Sequence, residues 1–447
     1  MLIPEKFKER MKGILGEEYD AFIDALENKE AVRALRVNTL KTKISDFESL
    51  CDFDIEALDV TDGDFRFYEE KIGGHPLHHA GAFYVQDPSA MAPVAAASDI
   101  IWPGMKVLDL CAAPGGKSSQ LAALLCGEGV LVSNEIVAAR ARILMGNLER
   151  MGVRNAVVTN LSPDAIADNY EGYFDFVLCD APCSGEGMFR KYEVACEEWS
   201  EENVKLCAER QRDILECAAK TVSADGYLMY STCTFSEDEN EAVIRSFLEK
   251  HEGFRLVPIA ESVVNVTSPG IDMPEARRFY PHKSPGEGQF LALLKRDGGE
   301  RSEVSFKSKL KPLSKEDKKV CEAFLSETLG YVPDGLGMLR DTVVIADELD
   351  APDGTFACGC ALGEIVKGRL VPHHHFFSAY GKDFLYTVDL QLDDPRLTAY
   401  LRGEGFEFTV PNGWCAVTVA GIPIGGGKTV NKYVKNHYPK GLRLKNN

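Results

Sequence analysis

The sequence predicts an α/β fold with a parallel central sheet, preceded by a small N-terminal α+β region and followed by a β-rich C-terminal module. Short apolar runs alternate with segments whose apolar residues recur at helical spacing, which is typical of a parallel sheet covered by helices on both faces. Near the C-terminus, apolar runs interrupted by Gly and Pro, as in residues 413–428, indicate a smaller β-rich unit. The predicted strands of the central sheet are residues 106–110, 130–133, 156–159, 174–179, 226–230 and 289–294.

The same patterns divide the chain into five parts. Before the sheet, Phe7, Met11 and Ile14 recur at helical spacing, and an extended segment follows around Arg36. Between the sheet strands, two helices are predicted at residues 141–151 and 199–218. A polar segment rich in Lys and Ser after the last strand is typical of a linker. We therefore expect an N-terminal region at residues 1–79, the sheet domain at 80–297, a linker at 298–319, an intermediate α+β region at 320–385 and the C-terminal module at 386–447.

The composition excludes several classes of protein. No apolar run approaches the roughly 20 residues of a membrane span, and the thirteen cysteines are an odd number without a Cys-x-x-Cys pair. We therefore expect a cytoplasmic protein with no membrane contact, no disulfide framework and no bound metal. The net charge of −19 argues against a surface covered with nucleic-acid-binding charge. Residues 413–447, however, carry six basic and no acidic residues, so this end is either a solvated face or a surface that attracts a polyanion.

A glycine pair follows the first predicted strand, in Cys111-Ala-Ala-Pro-Gly115-Gly116-Lys117. Glycines at this point let the backbone approach a ligand closely. The spacing excludes a phosphate-binding loop, because that motif needs glycine where Cys111 stands. The next strand leads to Glu135, which is placed either to accept hydrogen bonds from both hydroxyls of a ribose or to stabilise a helix N-terminus. A nucleoside without phosphates suits S-adenosylmethionine, whose sulfonium cation would lie among carboxylates such as Asp109 and Asp180.

Two cysteines follow the ends of two predicted strands: Cys183 in Asp180-Ala-Pro-Cys183-Ser-Gly-Glu-Gly and Cys233 in Ser231-Thr-Cys233-Thr. Because the carboxyl ends of parallel strands meet at one edge of a sheet, we expect both thiols to face one pocket. A thiolate is a strong nucleophile that can add to carbon-6 of a pyrimidine and activate carbon-5 towards a methyl donor. Such a reaction needs a nucleophile, an acid and a base, which Cys233, Asp180 and Cys183 can supply.

These motifs, in this order, resemble those of the NOL1/NOP2/Sun group of RNA 5-methylcytosine methyltransferases. The likeness covers about residues 80–296, and both ends of the chain are similar to the bacterial RsmF/YebU-like branch, which modifies small-subunit ribosomal RNA and ends in a PUA-like module. The resemblance implies a Rossmann-like class I methyltransferase domain that uses S-adenosyl-L-methionine. It also implies that the partner is RNA, either 16S rRNA or a small-subunit assembly particle, bound with help from the N-terminal region and the PUA-like module, and no stable protein partner.

The resemblance further implies a role for each site residue. Cys233 would be the covalent nucleophile, and Cys183 would help to release the product. Lys191 would steer a substrate phosphate or polarise the base. Members of the group often have an acid shortly after the third strand, where this chain has Asn160, so Asn160 or a backbone amide would take its place. The cofactor site would comprise Cys111, Ala112, Ala113, Pro114, Gly115, Gly116, Lys117, Glu135, Arg140 and Asp180.

Three alternatives remain open. A DNA methyltransferase would use the reversed assignment, with the cysteine after proline as nucleophile and an acid in a Glu-Asn-Val motif. This chain contains Glu202-Asn203-Val204, but within a predicted helix and not at a strand end. The second alternative is a non-catalytic RNA-binding ribosome-assembly factor with a vestigial cofactor pocket. The third is an enzyme of the same chemistry that acts on tRNA instead of rRNA.

Overall fold

The computed structural model describes residues 3–299, 301–304 and 306–445; residues 300 and 305 of the predicted linker and the outermost residues of both terminal regions lie outside it. The N-terminal region contains helices α1 (Glu5–Leu15), α2 (Tyr19–Asn28), α3 (Ile44–Leu50) and α4 (Pro76–His79), and strands β1 (Ala34–Val37), β2 (Ile55–Ala57), β3 (Asp64–Phe67) and β4 (Phe83–Val85). These strands form an antiparallel sheet in the order β2-β3-β1-β4.

The central domain is built on a mixed sheet. Its helices are α5 (Pro88–Ala95), α6 (Gly116–Leu124), α7 (Ala138–Met151), α8 (Pro163–Asn169), α9 (Glu193–Glu198), α10 (Glu201–Thr221), α11 (Glu241–Lys250) and α12 (Glu261–Asn265). Its strands are β5 (Lys106–Asp109), β6 (Val130–Asn134), β7 (Ala156–Thr159), β8 (Phe174–Asp180), β9 (Val222–Thr232), β10 (Phe254–Leu256), β11 (Ser268–Gly270), β12 (Met273–Phe279) and β13 (Gln289–Arg296).

The predicted parallel sheet is confirmed. Strands β9, β8, β5, β6 and β7 lie side by side in this order and run parallel, and β13, β12 and β11 continue the sheet beyond β9 in antiparallel pairs. Parallel strands are buried on both faces and therefore read as continuous apolar runs. In β8, for example, Phe174 and the four residues from Phe176 to Cys179 are all buried. The carboxyl ends of β5, β6, β8 and β9 meet at one edge, which carries the candidate site.

The rest of the chain forms helices α13 (Lys315–Leu329), α14 (His374–Tyr380) and α15 (Pro395–Arg402), and strands β14 (Leu336–Leu339), β15 (Thr342–Ile345), β16 (Thr355–Cys358), β17 (Cys360–Val366), β18 (Arg369–Pro372), β19 (Thr387–Leu390), β20 (Phe406–Glu407), β21 (Gly413–Val419), β22 (Ile422–Val430) and β23 (Tyr433–Asn436). One sheet has the order β14-β15-β17-β18 and another β19-β21-β22-β23-β20. The second sheet shares a hydrophobic core with the N-terminal sheet, in which Phe65 and Phe83 join Val417 and Tyr400. The two ends of the chain therefore pack on each other.

Three features differ from the sequence-based expectations. Strand β16, from the predicted intermediate region, pairs antiparallel with β7 and extends the central sheet. The last residues of the predicted linker, 315–319, are helical, because α13 begins at Lys315. The helix predicted at 199–218 begins two residues later, at Glu201, because the side chain of Ser200 accepts a hydrogen bond from the amide of Asn203 and so caps α10. Among the described residues, no helix combines the length and apolar character that crossing a membrane requires.

Candidate active site

The two cysteines singled out in the sequence lie side by side at the edge of the central sheet. Strands β8 and β9 are parallel neighbours, and Asp180 at the end of β8 is in register with Ser231 of β9. The loops that follow these strands bring the Sγ atoms of Cys183 and Cys233 to 3.2 Å from each other. Both thiols line a cavity of about 680 Å³. The expected juxtaposition of a nucleophilic thiol and a second thiol is therefore present in one pocket.

A buried carboxylate that the sequence analysis missed holds the two cysteine loops together. Glu239 is fully buried, and its Oε1 accepts hydrogen bonds from the amide of Ser184 at 2.9 Å and from Nε2 of Gln211 at 3.0 Å. Its Oε2 accepts from Oγ of Ser184 at 2.5 Å and from Oγ1 of Thr234 at 3.3 Å. Ser184 and Thr234 each directly follow one of the cysteines. Glu239 therefore fixes both loops relative to each other.

The glycines after Cys183 allow these loops to approach closely. The amide of Gly187 donates a hydrogen bond to the carbonyl of Cys233 at 2.9 Å. A Cβ atom at Gly187 would lie 2.9 Å from that carbonyl oxygen and 2.9 Å from the carbonyl oxygen of Gly288, so no larger residue fits there. The preceding Glu186 is fully buried and accepts hydrogen bonds from the indole of Trp199 and the amide of Phe235. The Ser-Gly-Glu-Gly segment thus anchors the site.

The two thiols are not equivalent in their protonation. The contact with Cys233, followed by burial, raises the pKa of Cys183 well above its ordinary value. Cys183 is therefore a neutral thiol, and in the pair it can donate its proton in a hydrogen bond to the sulfur of Cys233. An S–H group in this position can stabilise negative charge on a neighbouring sulfur.

Asp180 is held by three donors at the end of β8. Its Oδ2 accepts from Nζ of Lys117 at 2.8 Å, and its Oδ1 accepts from Oγ of Ser231 at 2.7 Å and Nε2 of Gln289 at 3.0 Å. Burial acts to lower the pKa of Lys117, but the carboxylates of Asp180 and Asp109 outweigh burial and raise it. The lysine of the glycine motif therefore serves as a fixed cation beside Asp180.

The glycine pair has a structural explanation at both positions. Gly115 precedes α6 with a φ of 112°, in the left-handed region, and a Cβ atom there would lie 3.1 Å from Cδ1 of Leu144. A Cβ at Gly116 would lie 3.0 to 3.2 Å from the side-chain amide of Gln86. The carbonyl of Gly116 also accepts a hydrogen bond from the buried guanidinium of Arg36 at 3.0 Å. Strand β1 of the N-terminal sheet thus directly contacts the glycine loop of residues 111–117, which is part of the predicted cofactor site.

Most of the other predicted cofactor residues surround or support the cavity. Cys111, Ala113, Glu135, Arg140 and Asp180 line it. The guanidinium of Arg140 donates to the carbonyl of Ala113 at 2.9 Å and lies 3.5 Å from Oε2 of Glu135. Burial raises the pKa of Cys111, so this cysteine is a neutral wall residue. Ala112 is buried behind the wall, and the carbonyl of Pro114 accepts from Nδ2 of Asn147.

Glu135 lies between a helix N-terminus and the cavity, and its contact with a ribose stays a prediction. Its Oε1 accepts a hydrogen bond from the amide of Val137, which precedes α7, while the carboxylate also faces the cavity. The Nδ2 of Asn160 donates to the carbonyls of Glu135 and Ile136, and this residue is not among those that line the cavity. Asp164, in the first turn of α8, does line the cavity. An acid is therefore available there from a later position in the chain.

Lys191 lies apart from the two thiols. Its Nζ is 2.6 Å from Oδ2 of Asp87 and 3.9 Å from Oε1 of Glu287, and it is not among the residues that line the cavity. Its proposed contact with substrate stays a prediction.

Two further sequence motifs, His373-His374-His375 and Glu202-Asn203-Val204, have structural explanations. His375 is buried, where burial lowers its pKa to about 3, and its Nε2 bonds to the carbonyl of Val153 at 2.9 Å, while Nδ1 of His373 caps α14. Within the described parts of the chain, no group of three or more His, Cys, Asp or Glu side chains is arranged to hold a metal ion. Glu202-Asn203-Val204 lies in the first turn of α10, as expected for a chance match.

Comparisons with known proteins agree along the whole chain. Residues 3–88 match a family described as the N-terminal domain of 16S rRNA methyltransferase RsmF, residues 102–295 match 16S rRNA methyltransferase RsmB/F, and residues 387–444 match the methyltransferase RsmF PUA domain. The chain is 32% identical over 438 residues to the ribosomal RNA small subunit methyltransferase F of Aeromonas salmonicida, covering 93% of this chain and 91% of that protein. The protein of the same name from Vibrio vulnificus is 31% identical over 461 residues, covering 98% and 97%.

Solved structures share the central fold. A methyltransferase homolog protein from Pyrococcus horikoshii is 30% identical with a TM-score of 0.58, covering 66% of this chain and 95% of that one. NSun6 from Pyrococcus horikoshii with SFG is 22% identical with a TM-score of 0.57, covering 66% and 99%, and at this identity the likeness concerns the fold alone.

Proposed function

The chain belongs to the RsmB/F family of 16S rRNA methyltransferases, with the N-terminal and PUA domains of RsmF, and we propose that it methylates carbon-5 of a cytosine in small-subunit ribosomal RNA. The observation that carries this proposal is the 3.2 Å separation of the Cys183 and Cys233 sulfur atoms within one cavity. Carbon-5 of cytosine is a poor nucleophile, so its methylation needs a thiolate that adds to carbon-6. Methylation of an exocyclic nitrogen or a ribose oxygen would need no such pair.

The residues of the cavity fit S-adenosylmethionine, the methyl donor of the family. The volume of about 680 Å³ lies within the usual range for small-molecule sites, and the acidic side chains Glu135, Asp164, Asp180 and Asp213 line it. These carboxylates suit a sulfonium cation and ribose hydroxyl groups. When bound, this group supplies an electrophilic methyl.

Cys233 would open and close the reaction. Its thiolate adds to carbon-6 of the ring, so a carbon–sulfur bond forms and the electron pair of the carbon-5–carbon-6 double bond becomes available at carbon-5 for methylation. Removal of the carbon-5 proton then restores the double bond and expels Cys233 as a thiolate. Asp180, held against the ammonium of Lys117, is suited to accept a hydrogen bond from the exocyclic amino group of cytosine.

The proximity of the two thiols would make Cys183 a base only after Cys233 has bonded to the substrate. In the free site, the hydrogen bond to Cys233 is the largest cause that raises the pKa of Cys183. Once the sulfur of Cys233 is bonded to carbon, it is an uncharged thioether, and this cause disappears. Cys183 can then lose its proton to solvent at the cavity mouth, and its thiolate can take the carbon-5 proton. Expulsion of Cys233 returns the original thiol–thiolate pair.

The flanking regions would present the RNA. We propose that residues 1–79 and 386–447 contact RNA outside the reacting nucleotide, consistent with the lysines exposed in the PUA domain. A ribosomal RNA substrate would place the enzyme in the cytoplasm.

The test is covalent trapping with small-subunit RNA that contains 5-fluorocytosine, from which the carbon-5 fluorine cannot leave as a proton does. We expect the wild type to form an RNA adduct that maps to Cys233 by mass spectrometry. The Cys233→Ala variant should form no adduct and no 5-methylcytosine, whereas Cys183→Ser should accumulate an adduct even on ordinary RNA. Cys207→Ala, which changes a cysteine of α10 outside the cavity, is the control. An adduct at Cys183, 5-methylcytosine made by Cys233→Ala, or a preference for tRNA or DNA would contradict the proposal.

A further inference from the structure

A cleft at the amino-terminal edge of the parallel strands, opposite the cysteine site, is lined by several cations. Two neighbouring cavities of about 260 and 420 Å³ share Lys41 and Lys382 in their walls. The walls come from the segment after β1, from the connections that precede β6 and β7, and from the C-terminal part around α14 and β22. Gly127 and Arg154 each lie shortly before the start of a parallel strand, whereas the cysteines follow strand ends. The cleft therefore lies at the other edge of the sheet from the cysteine site.

The cations of this cleft outnumber their acidic partners. Lys41 is only 3% exposed, and its Nζ donates to neutral oxygens: the carbonyl and the hydroxyl of Ser378, and the carbonyl of Pro423. Arg154 lies 3.4 Å from Oδ2 of Asp383, a single weak pairing. Within the described residues, neither Lys41 nor Lys382 has a carboxylate in ion-pair range.

A purely structural role accounts for part of this charge. Lys41 and Arg154 donate to the carbonyls of Ser378 and Ala379 at the C-terminal end of α14, where cations stabilise the helix dipole. A helix terminus carries about half a negative charge. Together with Asp383 and with Asp46, which lines the second cavity, it does not balance Lys41, Lys43, Arg154 and Lys382. Burial, followed by the charges of Lys382 and Arg154, lowers the pKa of Lys41.

We propose that this cleft binds a backbone phosphate of the substrate RNA through Arg154 and Lys382. A guanidinium beside an ammonium group matches a phosphate, and Arg154 is held in place by the ring of Tyr380, whose centroid lies 4.0 Å away. No aromatic residue is among those that line the two cavities, so base stacking is not the mode of binding. The contact is to the backbone and carries no sequence information.

The position of the cleft determines which kinetic step it affects. A phosphate bound at the far edge of the sheet belongs to a part of a folded RNA that is distant from the target nucleotide. The contact therefore raises affinity for an extended RNA substrate and leaves the chemical step unchanged. This inference rests on an RNA substrate, and so on the proposed function, but not on the role of either cysteine.

The test compares Lys382→Gln with Lys319→Gln, which removes one exposed charge from α13, outside the regions proposed to contact RNA. Binding of a small-subunit RNA transcript is measured at several salt concentrations, together with the initial rate of methylation. For Lys382→Gln we expect weaker binding, a slope of log affinity against log salt that is smaller by about one, a raised KM and an unchanged kcat. Arg154→Gln should behave alike, and Lys319→Gln should match the wild type.

The outcomes separate this inference from the proposed function. If Lys382→Gln and Arg154→Gln bind RNA with the affinity and salt slope of Lys319→Gln while the wild type methylates cytosine, the phosphate site is wrong and the proposed function stands. If the wild type binds RNA with the predicted losses in these variants but makes no 5-methylcytosine, the reaction is wrong and the phosphate site stands. A lower kcat at saturating RNA would place the effect in the catalytic step and would overturn the inference.

Discussion

Replacing Glu239 tests whether the two thiols depend on the carboxylate that holds their loops. In Glu239→Ala, the hydroxyls of Ser184 and Thr234 keep each other, since their oxygens are 3.0 Å apart, and Gln211 keeps the carbonyl of Pro182 at 3.1 Å. The amide of Ser184 loses its acceptor in the interior. An orphaned buried donor costs about 1–3 kcal/mol, and lost hydrogen bonds to a charged group add to it, while relief of a buried charge offsets part of the loss.

We therefore expect Glu239→Ala to lower the free energy of unfolding by about 3 kcal/mol, measured by urea denaturation. The control is Glu237→Ala, two residues earlier, whose carboxylate is about two-fifths exposed and pairs with Arg245; exposed pairs contribute at most about 1 kcal/mol. Methylation at saturating substrate should fall sharply in Glu239→Ala and largely recover in Glu239→Gln, whose amide can satisfy the same partners. The reasoning is refuted if Glu239→Ala costs no more than the control, or if it methylates RNA with the wild-type kcat.

Three further predictions follow from buried groups around the site. Arg278→Met should lower the free energy of unfolding by about 3–5 kcal/mol, because it leaves Glu241 as a buried carboxylate without its guanidinium; urea denaturation measures this, and a loss below about 1 kcal/mol would contradict it. Burial raises the pKa of Asp109 to about 7 from an ordinary value near 3.8, so the folded state retains a proton that the unfolded state has lost, and this group makes the cofactor-free protein less stable as pH rises from about 4 to 7. Asp109→Asn should therefore gain stability relative to the wild type between pH 5 and pH 8, and an unchanged difference across that range would disprove it. Gly115→Ala should weaken S-adenosylmethionine binding, seen by calorimetry, because alanine is strained at a φ of 112° and its Cβ would press on Leu144; wild-type affinity would argue against it.

The strands and the thiols were predictable because both leave local signals. A parallel strand buried on two faces is a continuous apolar run, and Pro, Ser and Gly after Cys183 mark a turn at its end. The family, the fold class and the cofactor that the motifs implied are confirmed. The PUA domain, which the resemblance to the bacterial branch of the family implied, is confirmed.

Glu239 was not predictable in the same way. Two of its partners lie far away in sequence, 55 residues for Ser184 and 28 for Gln211, so no local pattern reveals that they meet. Asn160 was assigned by its position after a strand, but its side-chain amide donates a hydrogen bond to the backbone of the loop after β6. The cationic cleft, too, combines residues from three parts of the chain. Each of these features depends on tertiary packing between segments whose own patterns are ordinary.

The pairing of β16 with β7 has a consequence for the synthesis of this protein and for the design of shorter fragments. Among the described residues, the outer edge of β7 pairs only with residues 355–358, which are synthesised some two hundred residues after β7 itself. While the nascent chain is still on the ribosome, that edge remains open to any other extended segment. A fragment cut at the apparent end of the methyltransferase domain would carry the same open edge permanently and would tend to aggregate. The shortest well-behaved catalytic fragment therefore extends at least to Cys358.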